Sequence, residues 1–372
     1  MVPKKTGYKT QLRKENEITG KFDLSPTKKN GAVQPMKDQN TRFFFSMDEW
    51  RVKISRLRFE EFIAVLFFVP MMAITLKAYF QLIAIGNLTR RVRGGLDRIL
   101  GTVIAFYLFS KGLRKWWFIR DWLPFAFCIA IYTNLHDTIH FVNPHDIQDK
   151  LMAIDQWMFG VQPCVWSEQF INPVLTDIFT FCYSTFFWYG PSVALALYFL
   201  KREKEFRHTI LSIILGFYIG YILYIIFPAA PPRYMLRHEF TISLHGGYLE
   251  KTGQIINLAA HKNRGAFPSL HTAGTIIALA CAWRYIRWMF WILTPIGIGL
   301  ILGTVYLRHH YVVDIIAGVA LAPLALWVGA KADPWWDHLR NRYILPHDEN
   351  LQPDALKTTY IESDIEPNIE SG

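Results

Sequence analysis

MFWILTPIGIGLILGTVYL, Met289–Leu307, is a stretch of nineteen uncharged residues that runs directly into RHHYVVD, Arg308–Asp314. Roughly 18–25 predominantly apolar residues suffice for a helix to cross a bilayer. A soluble domain of this size has no need of such a run, and Ile178–Leu200 and Thr209–Pro232 are two more. The expected fold is therefore all-α, a polytopic membrane helix bundle. The end of the run is as informative as the run itself. Two histidines and a carboxylate stand there, and GAFPSLH, Gly265–His271, sets a serine and a histidine at the mouth of another apolar segment. Ionisable groups this close to hydrocarbon are costly and tend to be functional.

The 372 residues are 52% hydrophobic and 16% aromatic, and the formal charge of +10 is unevenly placed. Residues 1–60 hold 14 Lys/Arg against 7 Asp/Glu, whereas residues 331–372 hold 4 against 9. The cations lie in a tail and between spans, not in a stripe interleaved with base-stacking aromatics. They are read as membrane topology, and nucleic acid is not an expected partner. Three of the four cysteines, Cys128, Cys182 and Cys281, fall inside apolar runs, and with Cys164 they form no CxxC pair, so neither a disulfide framework nor a zinc site is expected. About sixty polar residues precede the first apolar run, which is the wrong shape for a cleavable signal peptide; the first membrane helix is expected to act as its own insertion signal.

The chain divides into four regions. Residues 1–60 read as a disordered cytoplasmic tail, 61–120 as one or two N-terminal membrane segments, 121–330 as a six-helix core, and 331–372 as an acidic tail. Candidate spans lie at 61–85, 96–113, 122–140, 174–200, 209–228, 269–287, 288–307 and 311–330, seven or eight in all because the first two are interrupted by Lys77 and flanked by an arginine-rich loop. The loops Lys111–Arg120, Lys201–Arg207 and Arg284–Arg287 are basic, so the positive-inside rule puts them on the cytoplasmic side. Loops 141–173, 229–268 and 308–310 then share the opposite, non-cytoplasmic face, and they hold nearly every chemically suggestive residue.

His310 and Asp314 are four residues apart where a helix is expected to begin, a spacing that brings their side chains within reach. A carboxylate on one imidazole nitrogen fixes the tautomer and leaves the other nitrogen as a nucleophile. His309 has Val313 at the same spacing and lacks that partner. Ser269 follows Pro268 at another helix start, where it serves as a cap, as a phosphate contact, or as both. His271 at the same mouth is placed to protonate a departing alkoxide. Arg233, Arg264 and Arg308 are the candidate phosphate-binding cations, with Arg264 and Arg308 favoured because each lies within about five residues of a catalytic candidate. His136 and His140, with His145 nearby, are at helical spacing and fit a metal, a polar interfacial rim or a head-group contact; without an HExxH-type base no metal and no cofactor are expected.

Pro268-Ser269-Leu270-His271 and His310-Tyr-Val-Val-Asp314 together resemble the two hallmark motifs of the type 2 phosphatidic acid phosphatase superfamily. FPAAPPRY, GAFPSLH, LRHHYVVDIIAG, Asp155–Gly160 and Asp177–Tyr183 resemble its inositol phosphotransferase branch, which includes the aureobasidin-sensitive inositol phosphorylceramide synthase of fungi. The likeness spans roughly residues 120–330. It implies that His310 attacks phosphorus to form a phosphohistidine, that Asp314 orients it, and that His271 protonates the leaving oxygen, with no metal. Two family marks are absent. Thr304 stands where the superfamily usually has an arginine six residues before the nucleophile, and only PPR233 stands near where Lys-x6-Arg-Pro is expected. These departures leave the phosphate clamp unassigned and argue against simple phosphatidate hydrolysis.

The expected activity is head-group phosphotransfer on a phospholipid or isoprenoid-type lipid phosphate. A phosphatase that transfers to water is the alternative, and a non-catalytic membrane scaffold the third. The expected partners are a lipid substrate and the membrane; the sequence is silent on oligomeric state.

Overall fold

The computed structural model describes residues 54–84, 117–247 and 264–344, together with Arg51, Gly101 and Ile104. The expectations for the polar tail before residue 54, for a span at 96–113 and for the acidic tail beyond 344 lie outside them. Among the described residues every regular element is a helix, apart from a single parallel bridge between Ala229 and Gly265. The longer helices are α1 (Phe59–Ala84), α2 (Trp117–Val142), α3 (Gln148–Phe159), α4 (Pro173–Ser184), α5 (Phe186–Phe199), α6 (Glu203–Ile226), α7 (Leu270–Tyr285), α8 (Arg287–Tyr306) and α9 (Val312–Leu339). By length and composition α6, α8 and α9 can each cross a membrane. The protein is an all-α membrane helix bundle.

The expected span at 174–200 is divided into α4 and α5 at Thr185. Proline at 191 removes the donor that the Phe187 carbonyl would use, and the hydroxyls of Ser184 and Thr185 bond back to the Thr180 and Cys182 carbonyls at 2.7 and 2.6 Å. The resulting break brings Tyr183 and Phe186 to the same side of the bundle. The span expected at 311–330 also continues, to Leu339. Its extension is held by Trp336, 2% exposed, whose indole donates to the Leu57 carbonyl at 3.0 Å and stacks on Phe62.

Helix α6 is central and packs against α2, α5, α7 and α9. Between membrane helices apolar burial gives little drive, so close approach of small residues matters. Two glycines of α9 supply it. A Cβ on Gly329 would collide with the Ser212 hydroxyl of α6, and one on Gly318 would lie 2.5 Å from the Ser269 carbonyl oxygen at the start of α7.

The two ends of the bundle differ in chemistry. At one end Arg207 of α6 bonds Glu60 of α1 and Asp333 of α9, Arg120 bonds Glu61, and Arg58 bonds Asp121. Glu60 and Glu61 are buried, so these pairs give the charged start of α1 its docking site. At the other end the loops between helices are laced together. Ile147 N–H donates to the Pro228 carbonyl, Arg233 N–H donates to the Arg308 carbonyl, and Ala229 and Gly265 bridge. Loops separated by up to about 160 residues thereby meet at one end, the same three that charge patterning groups together.

Gly318→Leu tests the helix contact that positions this end. Overpacking of this kind costs about 1–3 kcal/mol, and it separates α9 from α7, so the thermal midpoint in detergent should fall and turnover drop about tenfold or more. Ala320→Leu, at an exposed position on the same helix, should leave both unchanged.

Candidate active site

The chain leaves α8 at Tyr306 and turns sharply. Arg308 adopts a left-handed φ of 64°, unusual for a side chain with a Cβ, and both His309 N–H and His310 N–H donate to the Thr304 carbonyl, at 2.8 and 3.1 Å. The position where an arginine was expected is thus used through its backbone, with the Thr304 hydroxyl turned to its own helix. Helix α9 begins at Val312, so His310 lies just outside it, and the His310–Asp314 spacing works by a different route from stacking on one helical face. Asp314 accepts from Tyr311 N–H at 2.9 Å as half of a capping box, and the same oxygen, Oδ2, lies 3.3 Å from His310 Nδ1.

Two more donors of the first turn, Val312 N–H and Val313 N–H, go to the Asp155 carboxylate of α3 at 2.8 and 2.9 Å. Asp155 is 1% exposed, and burial raises its pKa against the pull of those two donors. A carboxylate at a helix N-terminus satisfies both the orphan N–H groups and the dipole.

The second loop builds its side in parallel. Ser269, after a cis Phe267–Pro268 peptide, is the N-cap of α7, and its Oγ accepts from Thr272 N–H and Thr272 Oγ1 at 3.2 and 3.0 Å. Its own N–H donates to the Asp314 backbone carbonyl at 3.0 Å, which ties the two histidine-bearing loops together. His271 Nδ1 then lies 3.2 Å from His310 Nε2.

The three side chains form a line, Asp314–His310–His271. With His310 donating from Nδ1 to Asp314, its Nε2 presents a lone pair, and the proton in the second contact belongs to His271 Nδ1. One imidazole is thus set as a base or nucleophile and its neighbour as a proton donor. Aromatic rings fix the rest. Tyr183 stacks on His309 at 4.3 Å and on His271 at 4.7 Å, and Phe186 lies 4.3 Å from His271. His309 is buried and its Nε2 has no hydrogen-bond partner among the described residues. Burial, then Arg233, His271 and His310, hold its pKa well below the ordinary imidazole value, so it is neutral.

The three candidate arginines are placed differently. Arg308 Nη2 bonds Glu168 at 2.7 Å and the Ile242 carbonyl at 2.6 Å, with its guanidinium over the Phe240 ring. Arg264 pairs with Asp146 at 3.2 Å. Arg233 lies against the Tyr234 ring and, after burial, is the first of the charges that act on His309. His145 is exposed, with its backbone N–H on Asn143, and the side chains of His136 and His140 lie outside the described residues. Among the described residues no group of three or more His, Cys, Asp or Glu is gathered as a metal site. Asp155, Glu168 and Tyr183 had no role read from the residues themselves. Asp155 and Tyr183 stood in quoted segments, but nothing in their spacing links them to partners 88 to 158 positions later.

Residues 149–328 match the model of the PAP2 superfamily. A phosphoinositol dihydroceramide synthase of Bacteroides thetaiotaomicron is 28% identical over 255 residues, 61% of this chain and 82% of the relative. An inositol phosphorylceramide synthase of Candida albicans is 31% identical over 151 residues, 37% of this chain and 29% of the relative. A PA-phosphatase related-family protein of Dictyostelium discoideum is 25% identical over 190 residues, 45% of this chain and 34% of the relative. The chain thus spans most of the bacterial relative and about a third of the other two. No solved structure matches it significantly. Residues 149–328, which carry both histidine loops, the capping aspartate and Tyr183, are a PAP2 superfamily domain, and the protein is a membrane enzyme of the lipid phosphotransferase and phosphatase group.

Proposed function

We propose that the protein transfers a phospho-head-group from one lipid to the hydroxyl of another through a covalent intermediate on His310. The observation that carries this reading is the line of three side chains, with a carboxylate behind one imidazole and a second imidazole 3.2 Å in front of it. His310 Nε2 attacks phosphorus, displacing its contact with His271, while Asp314 holds the ring and balances the charge it gains. His271 gives its proton to the departing lipid oxygen and takes one from the incoming hydroxyl in the second step.

The positive charge at the phosphate is assigned to Arg233, whose field already reaches His309 beside the nucleophile, supported by the first turn of α7 that Ser269 caps. Arg264 and Arg308, nearer the catalytic candidates in sequence, pair with Asp146 and Glu168 and brace the surrounding loops. The relatives' names favour a phosphoinositol donor and a ceramide-type acceptor. The alternative of transfer to water is weighed against by the buried, aromatic-walled histidines, which leave little room for solvent around the nucleophile. Charge patterning supports a site on the non-cytoplasmic face, because the basic loops belong to the opposite end of the bundle.

Purified protein in lipid–detergent micelles, given head-group-labelled phospholipid with and without a ceramide-type alcohol, tests this. A new labelled lipid should form only with the alcohol. Release of label into water at the same rate without it would make the protein a hydrolase. General acid–base and nucleophilic groups contribute about 10²–10⁴-fold each, so His310→Ala, Asp314→Asn and His271→Ala should each lose at least about 10²-fold in turnover with expression intact.

The arginines separate by a second comparison. Arg233→Lys, which keeps the charge, should lower kcat/KM steeply and the thermal midpoint less than Arg308→Ala does, since a point charge replaces a bidentate fork. Arg308→Ala should destabilise the fold by about 3 kcal/mol, because it leaves the buried Glu168 carboxylate without its cation. Equal effects of the two on stability would overturn the division of roles.

A further inference from the structure

His271 stands at the inner end of an apolar groove that the reaction above does not account for. The groove is a narrow, side-opening cavity of about 50 Å³ between α2, α5, α6 and α7. Beside His271 it is walled by Phe186, Phe217, Tyr221 and Tyr224, and its outer lip is formed by Ile129 and Phe187, 39% and 50% exposed on the side of the bundle. The wall is smooth where Gly190 and Gly274 bare the backbone. A Cβ on Gly274 would come within 3.3 Å of the Phe186 ring. Of its tyrosines, Tyr221 donates its hydroxyl to the Cys128 carbonyl at 3.0 Å and Tyr189 donates to the Leu293 carbonyl. The lining is mostly apolar, with His271 as its titratable group, and it fits a hydrocarbon chain.

Resting on the function proposed above, we infer that this groove is a single lipid-alcohol site, used in turn by the departing lipid and by the acceptor. The proton donor fixes where the leaving oxygen sits, and the groove begins at that donor. In the first half-reaction the His310–phosphorus bond forms, the bond from phosphorus to the lipid oxygen breaks, and the oxygen takes the His271 proton. The chain-bearing alcohol so formed lies with its hydroxyl at His271 and its chain along Phe186 and Phe217. In the second half-reaction the acceptor hydroxyl gives its proton to His271, its oxygen bonds phosphorus, and the bond to His310 breaks. By microscopic reversibility that oxygen occupies the position the first one left, so the acceptor chain must enter the same groove after the first alcohol has gone. Donor and acceptor lipids therefore compete for one hydrocarbon site, and the specificity for the two chains is set by one set of residues.

The test is a chain-length series of head-group-labelled donors and of acceptor alcohols, run on wild type, Gly274→Leu and Ile129→Trp in mixed micelles. The first variant plugs the inner groove and the second narrows its lip. Each reading is the ratio of long-chain to short-chain turnover within one protein, so a loss of folded enzyme cancels. The expected result is a drop of about tenfold or more in that ratio, for donor and acceptor together, in either variant. Wild type should also give parallel double-reciprocal lines, with excess acceptor inhibiting competitively against donor. A ratio that changes for one lipid only would overturn the shared site, and a ratio unchanged in both variants would remove the groove from substrate binding. If wild type instead releases label to water and ignores every alcohol, the transferase reading itself fails, and the shared site with it.

Discussion

The N-terminus of α9 is the point on which the rest of the site depends. Three of its leading N–H groups are taken by two buried carboxylates, Asp314 from within and Asp155 from α3, and the Asp314 carbonyl accepts the Ser269 N–H of the neighbouring loop. Each of these bonds satisfies a donor that would be costly to leave unmet in a low-dielectric setting. Together they set the start of α9 against the start of α7 to within hydrogen-bonding distance, and Gly318 permits that approach. The line Asp314–His310–His271 arises from the same geometry, because Asp314 serves at once as helix cap and as partner of His310.

Much of this was legible in the sequence, for identifiable reasons. Uncharged runs specify membrane helices through length alone, so α6, α8 and α9 stand out without structural help. Asp314 and His310 are near neighbours in sequence, and the expected contact exists, although the reason differs: His310 precedes the helix and reaches Asp314 through the cap. What spacing cannot carry is any contact between distant segments. Asp155 meets Val312 and Val313 across more than 150 positions, and Glu168 meets Arg308 across 140. Arg308, next to the histidines in sequence, is for that reason drawn to a carboxylate from a distant loop. The division of α4 from α5 was hidden too, since the Ser184 and Thr185 hydroxyls and Pro191 leave the apolar run unbroken in composition.

The two ends of the bundle illustrate different uses of buried charge. At one end Arg58, Arg120 and Arg207 pair with carboxylates to hold α1 against α2, α6 and α9, which fixes architecture. At the other, charges face one another across loops that converge on the histidines. Neutral His309, stacked on Tyr183, adds a wall without adding charge, and the carboxylate at His310 is that of Asp314. An apolar groove opens directly from His271, which joins a polar reaction centre to a surface suited to hydrocarbon. That junction is what a lipid-modifying enzyme requires, because the reacting oxygen of its substrate lies at the boundary between head group and chain.

The most direct test of the central claim is chemical trapping of the intermediate. Wild-type protein mixed with head-group-labelled donor in the absence of acceptor, then denatured in base and digested, should yield an acid-labile phospho-head-group adduct on the peptide that contains His310. The adduct should vanish when acceptor is added before quenching. An adduct on His271 or His309, or turnover with no covalent adduct at any quench time, would contradict His310 as the nucleophile.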